Sequence, residues 1–79
     1  MSTLEKVRNV IDDLALAPLP EDTETSLFES GVIDSFSVVY LVGRLEQAFG
    51  IAVPDEDVMP RRFETLAKIT AYVEARAKD

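Results

Sequence analysis

Apolar side chains recur at spacings of three and four in three separate stretches of this chain. Leu4, Val7, Ile11 and Leu14 form the first series. Val38, Leu41, Val42, Leu45 and Phe49 form the second, and Leu66, Ile69 and Val73 the third. That spacing gathers each series on one face of a helix. No segment sustains an alternation of period two, so no sheet is expected. The chain has 79 residues and no cysteine. A domain of that size buries a thin core, and without disulfide staples only helix packing can hold it. The expected fold is all-α, one domain over residues 1–79. It is a small four-helix bundle of three main helices and one short helix, with a long loop between helices 1 and 2.

Local signals set the boundaries. Ser2-Thr3-Leu4-Glu5 has capping-box spacing, and Pro18 and Pro20 are expected to stop the first helix near Ala17. Residues 18–34 show no period. A connection that long is expected to pack or to serve a function, with Leu27, Phe28, Val32 and Ile33 turned inward. Ser26 to Ser30 suits one short turn, and Gly31 the bend. Asp34 and Ser35 are both good N-cap residues for a helix from Ser35 to Phe49, which Gly50 stops. Gly43 inside it costs roughly 1 kcal/mol of helix propensity, for which a close helix contact would compensate. Pro60 opens a short helix through Phe63. Thr65 caps a last helix from Leu66 to about Ala77.

Composition excludes several functions. Histidine is absent, so imidazole catalysis and histidine metal ligands are out. Eight basic and fifteen acidic side chains give a net charge of -7, which argues against nucleic acid and against an anionic membrane surface. Residues 1–14 carry Glu5, Asp12 and Asp13 among their apolar positions, unlike a secretory signal, so a cytoplasmic location is the expectation. No imidazole activates a serine, and Lys6, Lys68 and Lys78 sit on exposed helix faces. Carboxylates are abundant, but so small a domain has little room for a pocket that would raise their pKa. The chain is expected not to be an enzyme. Asp55 and Asp57 match the first ligands of a calcium loop. The pattern then fails at Met59, at Pro60 in place of the turn glycine, and at Leu66 in place of the closing Glu. Acidity at the start of the helix beginning near Pro60 explains that cluster better.

Ser35 is the remaining site. It follows a glycine-containing loop and opens the longest amphipathic stretch. Taken alone, Asp34-Ser35 reads as a helix cap. The wider run Leu27-Phe28-Glu29-Ser30-Gly31-Val32-Ile33-Asp34-Ser35-Phe36 resembles the attachment region of acyl and peptidyl carrier proteins. The resemblance continues through Val38, Leu41, Val42, Leu45, Glu46 and Phe49-Gly50, then Ile51-Ala52-Val53-Pro54 and the stretch from Phe63 to Val73. It covers essentially the whole chain. It implies that Ser35 receives 4′-phosphopantetheine from coenzyme A. That arm would supply the thiol the chain lacks, for cargo held as a thioester. A phosphodiester there would sit at a helix N-terminus, where free N–H groups favour negative charge.

The resemblance also implies partners. Asp34 would help present the serine to a phosphopantetheinyl transferase. Phe36 stands where the family usually has Leu, either as an apolar contact for partner enzymes or tucked into the bundle. Tyr40, Arg44 and Glu46 complete the expected partner face of the second helix. Tyr40 and Arg44 replace the acidic or small residues usual in carriers of fatty acid synthesis, which puts such partners in doubt. The run from Leu27 to Ser35 looks more like stand-alone D-alanyl, aminoacyl or peptidyl carriers. Such carriers are loaded by an adenylating ligase and serve specialised biosynthetic pathways. The expected partners here are therefore such a ligase and a downstream synthase or transferase that takes the acyl or aminoacyl group. The chain is expected to be a monomer. Two alternatives stay open: a fatty acid synthesis carrier, and a non-covalent acidic helical adaptor in which Ser35 is only a cap.

Overall fold

The computed structural model describes residues 2–77. Lys78, expected on an exposed face, lies outside them. Three α-helices carry the fold: α1 (Thr3–Leu14), α2 (Val38–Phe49) and α3 (Leu66–Ala77). Single 3-10 turns stand at Ser35–Ser37, Asp55–Asp57 and Pro60–Phe63, and no strand occurs among the described residues. The short helix expected from Pro60 therefore takes the tighter 3-10 form.

The capping box forms as its spacing requires. The Glu5 N–H donates to Ser2 Oγ at 3.2 Å, and the Ser2 N–H donates to Glu5 Oε1 at 3.1 Å. Helix α1 stops at Leu14, short of Ala17. Ala15 is already extended, and the Leu16 N–H leaves the helix ladder to donate to the Val32 carbonyl at 2.8 Å. Helix α2 ends on Gly50 at φ 65°, the left-handed geometry that glycine adopts without strain. At α3 the expected cap is present, with the Lys68 N–H donating to Thr65 Oγ1 at 3.1 Å.

All three helices turn their apolar faces to one core. Val7, Ile11, Leu41, Leu45, Leu66 and Ile69 have no exposed surface. Helix α1 packs most extensively on α3 and also crosses α2. Leu27, Val32 and Ile33 of the long loop are buried with them, while Phe28 is only half-buried against the core. The loop is tied down through its backbone. The Leu27 N–H donates to the Glu64 carbonyl at 2.7 Å, and the Ala67 N–H donates to the Thr23 carbonyl at 3.0 Å. Both the Val32 and the Ile33 N–H donate to the Leu27 carbonyl, at 3.0 and 3.1 Å, closing the bend at Gly31. This anchored loop fixes where residue 34 leaves the core and α2 begins.

The segment after α2 is held by polar side chains. Tyr72 Oη donates to Asp57 Oδ2 at 2.7 Å, and the Tyr72 ring meets Phe63 edge-on at 5.2 Å. Arg76 lies over that ring and donates to the Ala52 carbonyl at 2.7 Å. Asp57 is thus engaged with Tyr72 and, at 3.4 Å, with Arg62. Among the described residues no cluster of three metal-ligating side chains occurs.

Candidate functional site

The turn at Ser35–Ser37 is organised by Asp34. One carboxylate oxygen, Oδ1, accepts from the Ser37 N–H and from the Ser37 hydroxyl, both at 3.0 Å. The Asp34 carbonyl accepts from the same Ser37 N–H at 3.1 Å. The cap is therefore Asp34, and Ser35 caps nothing. Ser35 is exposed, and its hydroxyl has no hydrogen-bond partner among the described residues. A serine that is exposed, fixed in a short turn and uncommitted can accept a covalent group without dismantling the fold. The turn is 3-10 because the Ser37 N–H bonds to the carbonyl three residues back, and α-helical geometry starts only at Val38.

The remaining residues expected here divide into two groups. Phe36 is 93% exposed, which settles its orientation as outward, and Tyr40 is 61% exposed. Arg44 and Glu46 are engaged within the chain instead. An Arg44 guanidinium nitrogen lies 2.9 Å from Asp13 Oδ2, which ties α2 to α1. Hydrogen bonding to Tyr40, and then to Asp13, raises the Arg44 pKa further above its ordinary value. Glu46 Oε2 accepts from the Val53 N–H at 2.9 Å and staples the loop that follows α2.

Val39 belongs to this surface as well, being 73% exposed. With Tyr40, Gly43, Arg44 and Gln47 it lines a shallow hollow of about 330 Å³ on α2. The signal for it was available in the sequence. Val39 is apolar but lies one residue off the buried stripe formed by Val38, Leu41, Val42 and Leu45. Phe36, Val39 and Tyr40 thus make an apolar surface beginning one residue from Ser35. Isolated exposed apolar residues need no explanation, but neighbouring ones on one face mark a contact surface.

The family model described as "Phosphopantetheine attachment site" matches residues 5–73. The chain is 33% identical over 73 residues to a D-alanyl carrier protein of Streptococcus suis, covering 92% of each chain. It is 35% identical over 74 residues to D-alanyl carrier proteins of Streptococcus pyogenes serotypes M5 and M1, covering 94% of each. No solved structure matches. The prosthetic group of the family is covalently attached 4′-phosphopantetheine, and an exposed, uncommitted serine in the turn leading into α2 fits it. Both the matched span and the identities across nearly the full length of these relatives show that the chain belongs to the phosphopantetheine-dependent carrier protein family.

Proposed function

We propose that Ser35 is the attachment residue, and that the chain presents an aminoacyl or acyl group to partner enzymes without being an enzyme itself. The observation that carries this reading is the free, exposed Ser35 hydroxyl beside the Asp34 cap. When bound, the prosthetic group supplies the thiol on which cargo is held as a thioester. The chain's own contribution is to hold Ser35 outward at the end of an anchored loop, with Asp34 fixing the turn. Residues 1–79 act as one carrier domain in the cytoplasm, as a monomer. Among the described residues no helix is long and apolar enough to cross a membrane.

The partners on this reading are a phosphopantetheinyl transferase, an adenylating ligase that loads the cargo, and a downstream synthase or transferase. The relatives named D-alanyl carrier proteins support a small amino acid such as D-alanine as cargo. The apolar face of Phe36, Val39 and Tyr40 supports partners that dock by apolar contact, more than the basic surfaces that read acidic fatty acid carriers. The experiment is incubation with coenzyme A and a broad-specificity phosphopantetheinyl transferase, followed by intact mass. One phosphopantetheinyl adduct is expected, and none in Ser35→Ala. An adduct that persists in that variant, or none in the parent protein, overturns the assignment.

A further inference from the structure

A second hollow, shallow and of about 460 Å³, lies where the Pro60–Phe63 turn meets α3. Its walls are Arg61, Arg62, Lys68, Ala71 and Tyr72. We propose that this hollow is a docking surface for an acidic segment of a partner protein. The proposal does not depend on Ser35.

Three of those five residues are cations, in a chain with a net charge of -7. Two are answered in part. Arg62 Nε stands 3.4 Å from Asp57, and Lys68 Nζ stands 2.7 Å from Glu64. Both stay about half-exposed, at 50% and 49%. Arg61 is exposed and forms no ion pair among the described residues. This is notable given how close the acidic loop lies. Its backbone bonds to Glu64 and Ala67, yet none of its carboxylates pairs with these cations. The floor is fixed, because Tyr72 is held by Asp57 on one side and by Phe63 on the other.

Charge and shape select the occupant. A rim of guanidinium and ammonium groups over an aromatic and alanine floor fits a peptide in which carboxylates flank an apolar side chain. A bilayer is a poorer fit, since an extended anionic surface would also meet the chain's excess of carboxylates. Nucleic acid is disfavoured by the same net charge. A narrow acidic segment meets the cations alone.

The test uses the full chain, labelled with nitrogen-15, with and without the prosthetic group. It is titrated with the peptide acetyl-Glu-Leu-Glu-Glu-Leu-Glu-amide and with the same peptide carrying Gln for Glu. Saturable amide shifts confined to residues 61–72 are expected with the Glu peptide and absent with the Gln peptide. Arg61→Glu should weaken binding at least about tenfold, because it reverses the one rim charge without an internal partner. Its fold should be unchanged, since that side chain makes no contact the structure needs. Equal binding of both peptides, unchanged affinity in Arg61→Glu, or no shift at millimolar peptide overturns the proposal. So do shifts that arise only with vesicles containing anionic phospholipid, which would make the hollow a membrane face.

Discussion

At the scale of single residues, the division of labour between Asp34 and Ser35 separates stability from modification. Asp34 makes the capping bonds and Ser35 makes none. Asp34→Ala should lower stability by about 1 kcal/mol, the usual cost of losing a helix cap. Ser35→Ala should stay within about 0.5 kcal/mol of the parent, as surface substitutions without a specific contact do. Urea unfolding of the two variants checks both, and a Ser35→Ala loss as large as that of Asp34→Ala would make Ser35 a cap after all. Tyr72 offers a second residue-level readout. Burial first, and then its hydrogen bond to Asp57, raises its pKa above the ordinary 10.0. The neutral phenol is the favoured form in the folded chain. Its contribution to stability is therefore complete below the unfolded pKa and is lost as pH rises through the folded value. In Tyr40→Phe, where Tyr72 is the only remaining tyrosine, absorbance at alkaline pH should show a midpoint above 10.0 that returns toward it on unfolding. A midpoint at or below the ordinary value would contradict the packed, hydrogen-bonded ring.

At the scale of elements, Gly43 sits inside α2, and apart from its chain neighbours and the helix's own backbone no atom among the described residues lies within 4 Å of where a Cβ would stand. The close helix contact that would offset its cost is absent. Gly43→Ala should therefore stabilise the chain by about 1 kcal/mol, seen as a raised melting temperature. Gly43 lines the α2 hollow, so the same variant should slow loading by a partner if that hollow must admit partner atoms. An unchanged loading rate would remove Gly43 from the docking face. The helices themselves were legible because each buried stripe is written at helical spacing, and caps such as Ser2, Thr65 and Gly50 are local chemistry. The end of α1 was not legible. Leu16 exchanges a helical bond for one to Val32, sixteen residues away, and no local signal marks that trade. Likewise Ser37, which completes the Asp34 cap, and Asp13, which holds Arg44, are identified only once the elements are assembled.

At the scale of the whole molecule, charge and apolar surface are segregated. The carboxylates Glu21, Asp22, Glu24, Glu29 and Asp34 lie before α2, and Asp55, Glu56 and Asp57 lie after it. Helix α2 itself contains one cation and one anion, Arg44 and Glu46, and each is bound to another part of the chain. What α2 and the turn leading into it offer outward is Phe36, Val39 and Tyr40. A partner that reads this face gains little from long-range attraction, so its affinity has to come from apolar contact. Exposed aromatic residues at the centre of such a face are where binding energy concentrates. Phe36→Ala should therefore lower kcat/KM for loading at least about tenfold, with the melting temperature unchanged because the ring touches nothing inside the fold. Loading by the parent protein should fall only slightly as salt is raised, since screening acts on charges that this contact does not use. Steady-state loading kinetics of both proteins across a salt series give both numbers. A steep salt dependence with an intact rate in Phe36→Ala would mean that the flanking acidic loops, and not the α2 face, are what the partner recognises.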